Sequence, residues 1–268
     1  MSDLRGRTAL VTGASSGIGA ELARGLARRG ASLVLVARRE DRLRALAEEI
    51  GGRHGVKVDV VPLSLSEPEG PPRLVARVRE LGAQIDVLVN NAGVGVYGAF
   101  HEVPWERQRA LLELDVVTPV HLVHLLLPEM RARGEGWILN VASIGAFLPT
   151  PGYATYAAAK SFVLSFSEAL AWELRSTRVR VSALCPGVTE SEFFDVSGQT
   201  RSLFQRATVM AAADVAESGL RALLAGRTSR VPGFLNAASM QSLRVVPRRV
   251  QTAVADWLMR FGAREGSA

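Results

Sequence analysis

Residues 8–19 read TALVTGASSGIG, a short apolar run that leads directly into a turn with three glycines. The run Thr8 to Thr12 predicts a buried strand, and Ile18, Leu22 and Leu26 follow at steps of four, which predicts one face of a helix. Glycines between a strand and a helix let the backbone approach a pyrophosphate, whose charge the free N–H groups of the helix can meet. Plain turn chemistry is the alternative, but this context favours a dinucleotide site. The predicted contacts are Gly13, Ser15, Ser16, Gly17, Ile18 and Gly19.

The alternation of strand and helix patterns continues along the chain. Further strands are predicted at Ser32–Ala37, Val56–Leu63, Asp86–Asn90, Trp137–Ala142 and Val179–Leu184, and further helices at Arg39–Ile50, Glu67–Leu81, Glu106–Arg133 and Tyr153–Ser176. Repeated strand-helix-strand units imply right-handed crossovers and a parallel sheet covered on both faces. The sequence therefore predicts an α/β fold, a doubly wound parallel sheet in three layers, as one domain over residues 1–268. Residues 190–268 are expected to form a substrate loop and a helical extension.

Composition excludes several classes of protein. The chain has 268 residues and a mass of 28.7 kDa, and 48% of its residues are hydrophobic, which is ordinary for a globular protein and unlike a disordered or collagen-like chain. The single cysteine, Cys185, leaves no intrachain disulfide. No stretch resembles a signal peptide or a spanning helix of about 20 apolar residues. We therefore expect a cytoplasmic protein without a transmembrane segment.

Basic residues exceed acidic ones, and the formal net charge is +6. The arginines are scattered among acidic residues without stacking aromatics, which argues against nucleic acid as a partner. Only two of the 32 basic residues are lysines, Lys57 and Lys160, so a lysine kept in this background is a candidate for chemistry that needs a compact ammonium. The four histidines show no ligand spacing with cysteine or carboxylate, and we expect no catalytic metal.

Tyr156 and Lys160 lie four residues apart on a predicted helix, which places both side chains on one face. An unperturbed phenol has a pKa of about 10, and a neighbouring ammonium lowers it towards neutral pH. Ser143 ends a predicted strand beside this helix, and its hydroxyl could hold a substrate carbonyl oxygen. A packed tyrosine with a solvated lysine, and a serine that only shapes a turn, are the alternatives. Tyr153 has no lysine four residues later, so we expect it at most to line a substrate pocket.

Further motifs follow the glycine turn in a fixed order: Asn90-Asn91-Ala92-Gly93, Ser143, Tyr156-Ala157-Ala158-Ala159-Lys160, and Pro186-Gly187 with Thr189. Together they resemble the motif set of the classical short-chain dehydrogenase/reductase family. The resemblance implies a Rossmann-type oxidoreductase with a nicotinamide cofactor, usually a homodimer or homotetramer. It implies catalysis by Ser143, Tyr156 and Lys160, with Tyr156 as general acid/base. The implied cofactor contacts are Asn91, Ala92, Gly93, Tyr156, Lys160, Pro186, Gly187 and Thr189.

Asp115 departs from the family pattern. The family usually has an asparagine at this helix position, where it helps to hold a water chain from the catalytic lysine to solvent. An ionised aspartate only accepts hydrogen bonds and adds a negative charge. Near Lys160 it would stabilise the ammonium but oppose phenolate formation at Tyr156, which predicts a working enzyme with its basic pH limb shifted upward. The alternative is that any polar side chain serves here to cap a kinked backbone.

The end of the second predicted strand decides the expected cofactor. Enzymes that prefer NAD usually have an acid there for the ribose hydroxyls, whereas this chain has Ala37 followed by Arg38 and Arg39. Cations at the start of a helix are unfavourable unless an anion compensates them, and Glu40 does so only in part. These features predict NADP rather than NAD. Ser64 stands where many relatives have an aspartate near the adenine, which weakens any prediction of that contact.

Apolar loop segments are expected to cover the substrate. They are Val94-Gly95-Val96-Tyr97, Phe147-Leu148-Pro149, and Phe193, Phe194, Val196, Leu203 and Phe204. Such residues would exclude water from the nicotinamide, although they could equally pack beneath the loops. We predict that the substrate is a hydrophobic ketone or aldehyde, or the corresponding alcohol. The alternative is a catalytically weak nucleotide-binding sensor or scaffold of the same fold, but the presence of Ser143, Tyr156 and Lys160 together favours an enzyme.

The C-terminal stretch carries apolar residues at helical spacing, namely Val250, Val254, Trp257, Leu258 and Phe261, beside several arginines. We expect a helix that covers the substrate loop or forms a subunit contact, in preference to an interfacial membrane helix. The stretch PGFLNAASMQSLRVVPRRV, residues 232–250, resembles the tail of a bacterial NADP-dependent acyl or ketone reductase group.

Overall fold

The computed structural model describes residues 3–190, 192, 193, 197, 199 and 208–260. Its strands are β1 (Thr8–Thr12), β2 (Ser32–Ala37), β3 (Val58–Pro62), β4 (Val87–Asn90), β5 (Gly136–Val141), β6 (Val179–Leu184) and β7 (Ser229–Arg230). They form one sheet in the order β3-β2-β1-β4-β5-β6-β7, and every neighbouring pair is parallel. The predicted α/β doubly wound fold is confirmed. The extension of one domain over the whole chain stays a prediction.

The helices cover both faces of the sheet. They are α1 (Gly17–Ala27), α2 (Glu40–His54), α3 (Gly70–Glu80), α4 (Trp105–Leu112), α5 (Thr118–Arg133), α6 (Ala154–Glu173), α7 (Ala212–Leu224), α8 (Phe234–Ser242) and α9 (Arg248–Arg260). Successive strand residues point to opposite faces, so Val11 packs with α1, α2 and α7, whereas Leu10 packs with α3, α5 and α6. Each face of the sheet thus has its own core.

The predicted helix Glu106–Arg133 is interrupted. A π-helical turn, Glu113–Val117, separates α4 from α5, and Asp115 lies inside this turn, only 1% exposed. Such turns insert an extra residue into a helix and are frequent at functional sites. Apolar periodicity cannot reveal the interruption, because the residues on both sides keep a helical spacing. The short strand β7 was not predicted either, since its two residues carry no strand pattern.

One stretch among the described residues, Trp105–Arg133, is long and apolar enough to span a membrane by length and composition. Its second half, α5, contributes Leu122, Val123, Leu126 and Met130 to the core of one face of the sheet. A helix that covers a parallel sheet needs such apolar residues without any lipid. The absence of a transmembrane segment stays a prediction.

The C-terminal helix α9 does not pack through its apolar stripe at the positions where burial is described. Val250 and Val254 are exposed, whereas Gln251 and Ala255 are buried. The Nε2 group of Gln251 donates to the backbone carbonyls of Leu243 and Val246, both at 2.8 Å. Val250 and Val254 therefore point away from the described core, and the cover over the substrate loop stays a prediction. The side chain of Leu258 and the whole of Phe261 lie outside the described residues, and a subunit contact stays a prediction.

The sheet changes direction of winding between β1 and β4, where ligands of doubly wound folds bind beyond the carboxyl ends of the strands. Thr12 joins the two strands at this point. Its hydroxyl donates to the carbonyl of Val89 at 3.2 Å and accepts from the N–H groups of Asn91 and Ala92, each at 3.0 Å. A single buried hydroxyl therefore fixes the two loops that border the cleft.

We predict that Thr12→Val, which keeps the shape but removes the hydroxyl, lowers the free energy of unfolding by about 1–3 kcal/mol. The N–H groups of Asn91 and Ala92 would lose their acceptor in a largely buried place. Urea denaturation measures the change, and Thr12→Ser, which keeps the hydroxyl, is the matched control. Equal losses in the two variants would show that the hydrogen bonds contribute nothing.

Candidate active site

A cavity of about 360 Å³ opens at the carboxyl edge of the sheet, at the point where the winding reverses. It connects the predicted dinucleotide turn with the predicted catalytic helix. Of the predicted site residues, those that line it are Gly13, Ser15, Ser16, Gly17, Ile18, Arg38, Arg39, Asn91, Ala92, Gly93, Asp115, Tyr156, Lys160, Pro186, Gly187 and Thr189. Gly19 and Ser143 lie outside this lining, and each has a supporting position that is described below.

The glycine turn is shaped by backbone that approaches backbone. Gly13 has φ +65°, a conformation that side chains disfavour, and a Cβ on Gly19 would lie 2.3 Å from the carbonyl oxygen of Gly13. Gly19 thus lets α1 pack onto the turn and does not itself face the cavity. Because α1 begins at Gly17, its free N–H groups lie at the cavity wall. This open, anion-binding cradle fits a dinucleotide pyrophosphate.

The two asparagines at the end of β4, Asn90 and Asn91, have different structural roles. Asn91 donates from Nδ2 to the carbonyl of Thr12 at 3.0 Å and to that of Gly13 at 3.1 Å, so it stabilises the turn from the far side. Asn90 donates to Asn140 Oδ1 at 2.9 Å and ties β4 to β5 inside the core. Only Asn91 lines the cavity. Two adjacent residues of this motif thus join the strands and border the cavity.

Arginines and serines form the cavity end nearest β2. Arg39 donates from one terminal nitrogen to the hydroxyls of Ser15 and Ser16, both at 3.0 Å. Its other terminal nitrogen lies 2.8 Å from a carboxylate oxygen of Glu192, and Arg42 pairs with the second oxygen of the same carboxylate. Sequence reasoning missed Arg42 and Glu192. The spacing of Arg39 and Arg42 along α2 could have indicated the former, but nothing in the sequence links Glu192 to this end.

Ser64 does not line the described cavity, whereas its neighbours Leu63 and Leu65 do. The wall near the predicted adenine position therefore consists of Leu63, Leu65 and Ser66 and contains no acid, which is consistent with a missing aspartate contact. A ring would meet aliphatic side chains rather than a hydrogen-bonding acid at this place.

The residues after β6 form the opposite rim. The carbonyl of Pro186 accepts from the N–H of Ile144 at 2.9 Å, which places the Pro186-Gly187 turn beside the end of β5. A Cβ on Gly187 would lie 2.5 Å from the amide of Asn236 on α8, so a larger residue would displace that helix. Thr189 is buried, and its hydroxyl donates to the carbonyl of Gly187 at 3.0 Å.

The predicted catalytic side chains converge on Lys160. Its Nζ lies 2.9 Å from Asp115 Oδ2, donates to the carbonyl of Val141 at 3.1 Å, and is 5.6 Å from the centre of the Tyr156 ring. The other carboxylate oxygen of Asp115 accepts from the N–H of Val94 at 2.8 Å. The Asp115–Lys160 pair is almost fully buried, with side-chain exposures of 0% and 7%. Asp115 is therefore in direct contact with the lysine.

Gly93 explains why this pair fits beneath the loop after β4. A Cβ there would lie 3.0 Å from Asp115 Oδ2 and 3.2 Å from Lys160 Nζ. Any side chain would press on both charged groups, so the motif residue at this position serves the ion pair as well as the cavity wall.

Opposing effects act on the pKa of Tyr156. Burial raises it, the Lys160 ammonium lowers it, Asp115 raises it, and a hydrogen bond with Ser143 lowers it, so that the pKa is above its ordinary value. Burial likewise raises the pKa of Asp115, although the ammonium and the Val94 N–H oppose this effect. Burial alone would lower the pKa of Lys160, but Asp115 outweighs it and raises that pKa. Asp115 therefore raises the pKa of both Tyr156 and Lys160 and favours their protonated forms.

Ser143 stands at the edge of the cavity, at the end of β5. Its hydroxyl accepts from the N–H of Gly145 at 3.1 Å and begins a short 3₁₀ turn. It also lies on the Tyr156 side of this turn, where its hydroxyl lowers the phenol pKa. The serine therefore has both the turn role and the position beside Tyr156 that the sequence suggested.

Aromatic rings surround the Tyr156 side of the cavity. The ring centres of Tyr153 and Phe193 lie 5.6 and 5.3 Å from that of Tyr156, and Tyr97 lies 5.1 Å from Tyr153. Tyr153 is 5% exposed and donates to Gln199 Oε1 at 2.7 Å, so it lines the pocket as predicted. The predicted loop residues Phe194, Val196, Leu203 and Phe204 lie outside the described residues.

In the described part of the chain, no group of three or more His, Cys, Asp or Glu side chains is arranged to hold a metal ion. The absence of a catalytic metal stays a prediction.

Comparisons with known proteins agree with this geometry. The family model described as short chain dehydrogenase matches residues 7–202. The chain is 38% identical over 195 residues to an uncharacterized oxidoreductase of Myxococcus xanthus, which covers 72% of this chain and 76% of the relative.

Two solved structures show the same architecture. A short-chain dehydrogenase from Sphingobium yanoikuyae in complex with NADPH is 33% identical, with a TM-score of 0.81 over 89% of this chain and 92% of that one. A short-chain dehydrogenase/reductase from Burkholderia phymatum in complex with NAD is 27% identical, with a TM-score of 0.80 over 90% of this chain and 94% of that one. The match of the family model over most of the chain, the identity to the relatives and the shared fold agree, and the protein belongs to the short-chain dehydrogenase/reductase family of oxidoreductases.

Proposed function

We propose that this oxidoreductase uses NADPH to reduce an apolar ketone or aldehyde, or oxidises the corresponding alcohol, with Tyr156 as the general acid/base. The observation that carries the proposal is the position of Tyr156. It lies between the Lys160 ammonium and the Ser143 hydroxyl, at the end of a cavity that also contains the glycine turn. A phenol in this position can exchange a proton with a substrate oxygen while a bound cofactor exchanges a hydride with the carbon.

Tyr156, Ser143 and Lys160 have different roles in the proton transfer. In the reductive direction Tyr156 gives its proton to the carbonyl oxygen, and the Ser143 hydroxyl holds that oxygen in place. The Lys160 ammonium stabilises the phenolate that remains. Lys160 is itself held by Asp115 and by the Val141 carbonyl, so its position does not depend on solvent.

An apolar substrate is supported by the surface next to Tyr156. Val94, Tyr153 and Phe193 line this side, and the rings of Tyr153 and Phe193 pack against Tyr156. Carbonyl substrates with aliphatic or aromatic substituents would bury apolar surface there, at about 25 cal/mol per Å². Sugars would lose hydration against the apolar side chains of this face.

NADP is favoured over NAD by the charges at the other end of the cavity. Arg38 and Arg39 line the wall at the end of β2, where an acid would contact the ribose hydroxyls of NAD. The hydroxyls of Ser15 and Ser16 lie within hydrogen-bonding distance of Arg39. Two cations and two hydroxyls suit a phosphate on the ribose better than free hydroxyls.

We also propose a cytoplasmic homo-oligomer, a dimer or tetramer, that binds no nucleic acid and has no transmembrane segment. Large apolar side chains on α4 and α6 support a subunit contact: Trp105, Phe162 and Trp172 are 62, 44 and 69% exposed. Exposed aromatic side chains of this size are typical of interfaces between proteins.

We expect Tyr156→Phe to lose at least about a hundredfold in kcat because it lacks the hydroxyl that moves the proton. NADPH oxidation with a panel of apolar ketones and aldehydes measures this, alongside NADH and polar sugars. Binding of NADPH should persist in the variant. Unchanged turnover in Tyr156→Phe would contradict the role of the tyrosine.

If the wild type turned over sugars but no apolar carbonyl, the proposed substrate class would be wrong. Tight NADPH binding by a wild type without any turnover would favour the sensor or scaffold alternative.

For Asp115→Asn, we expect the basic limb of the kcat profile to move to lower pH in the reductive direction. Reduction needs protonated Tyr156, so the rate falls as the pH rises through the phenol pKa. Asp115 raises the pKa of both Tyr156 and Lys160, and its charge is absent from asparagine.

Glu113→Gln is the matched control, because it removes a carboxylate from the same π-helical turn while leaving the contact with Lys160 intact. Its pH profile should match the wild type, and thermal unfolding should show that both variants are folded. Superimposable profiles for wild type and Asp115→Asn would mean that Asp115 does not act on the tyrosine electrostatically.

A further inference from the structure

Glu192 reaches the NADP-favouring end of the cavity from a part of the chain that sequence reasoning assigned to the substrate. Its carboxylate accepts from Arg39 with one oxygen, at 2.8 Å, and from Arg42 with the other. The hydrogen bonds from Arg42 and Arg39 lower the pKa of Glu192 to about 2, so the carboxylate is ionised at neutral pH. One carboxylate therefore bridges the two guanidinium groups at the start of α2.

The position of Glu192 does not depend on the ion pairs alone. The next residue, Phe193, packs its ring 5.3 Å from that of Tyr156, and a Cβ on Gly95 would lie 2.4 Å from the same ring. This aromatic contact holds the adjoining residue at the cavity, where the carboxylate of Glu192 reaches Arg39. An incidental surface pair would not be anchored in this way.

The contacts of Arg39 are those that a phosphate would need. Its guanidinium holds the Ser15 and Ser16 hydroxyls with one nitrogen and an anion with the other. The anion also compensates the two cations, Arg38 and Arg39, that precede the first turn of α2, where positive charge is otherwise unfavourable. In the structure this anion is the Glu192 carboxylate.

We propose that Glu192 is a cofactor-selectivity residue that occupies the 2′-phosphate site, and that a nucleotide with a 2′-phosphate displaces it. The inference rests on the proposed preference for NADP. The side chains of Arg39, Arg42 and Glu192 are 40, 45 and 39% exposed, and half-exposed ion pairs are weak. A phosphate group carries about two charges and three acceptor oxygens, so it outcompetes a single carboxylate for the same guanidinium groups. A nucleotide without the phosphate leaves the pairs in place.

Glu192 therefore imposes a cost in binding free energy on nucleotides that carry a 2′-phosphate, and on those alone. Binding of NADP must break the Glu192 pairs, whereas binding of NAD need not. Glu192 thus reduces the preference for NADP that the arginines create, and the balance between these groups sets how strongly the enzyme discriminates. This role differs from that of an acid that binds ribose hydroxyls, because such an acid would improve the binding of NAD.

The test measures binding of two probes, 2′,5′-ADP and 5′-AMP, by isothermal titration calorimetry, without any turnover. We expect Glu192→Gln to bind 2′,5′-ADP about three- to tenfold more tightly than the wild type and 5′-AMP unchanged. Glu190→Gln is the matched control, since Glu190 is an exposed carboxylate two residues away, and it should bind both probes like the wild type. Arg39→Ala should weaken binding of 2′,5′-ADP only.

The outcomes separate this inference from the proposed function. A wild type that prefers 2′,5′-ADP, together with unchanged affinities in Glu192→Gln, would overturn the role of Glu192 and leave the NADP preference standing. Weaker binding of 5′-AMP in Glu192→Gln would overturn it too, because the carboxylate would then be a ribose ligand. Equal affinity for the two probes in the wild type and in Arg39→Ala would overturn the NADP preference, and the inference with it.

Discussion

Every parallel strand of this sheet ends at the same edge, and this constraint determines where chemistry can take place. The crossovers return each chain segment to the opposite edge, so the loops after the strands meet at this one. Gly13 follows β1, Arg39 follows β2, Asn91 follows β4, Ser143 follows β5 and Gly187 follows β6. Residues far apart in the chain therefore surround one cleft. Hydrogen bonds between loops, such as those of the Thr12 hydroxyl, hold that convergence in place.

The two ends of the cleft use charge in opposite ways. At the catalytic end the Asp115–Lys160 pair is buried, and its partners include the Val94 N–H and the Val141 carbonyl. Breaking one partner of such a pair leaves an uncompensated charge in a poor solvent, so the pair is fixed. At the other end Arg39 and Glu192 are half exposed, and water can replace either partner at little cost. Burial thus makes one charge pair a structural element and leaves the other open to exchange.

The buried Asp115–Lys160 pair also limits how far the pKa of Tyr156 is lowered. Lysine stabilises a phenolate, yet the carboxylate that positions this lysine counteracts part of that effect at Tyr156. An asparagine would position the ammonium without the charge. The π-helical turn explains how an aspartate is accommodated, since it directs the buried side chain of Asp115 between the loop after β4 and α6. Charge and backbone geometry are therefore coupled at this single residue.

The sequence by itself determined the layered α/β fold, the glycine turn and the proximity of Tyr156 to Lys160, because strand alternation, glycine spacing and a four-residue step are local properties. Only the tertiary structure decided the break in the helix at Asp115, the outward direction of the apolar stripe at Val250 and Val254, and the pairing of Glu192 with Arg39. Each of these depends on which surface a segment meets after folding. The spacing of residues along the chain cannot predict such contacts. Residues 39 and 192 come together only because the sheet brings the ends of β2 and β6 to one edge.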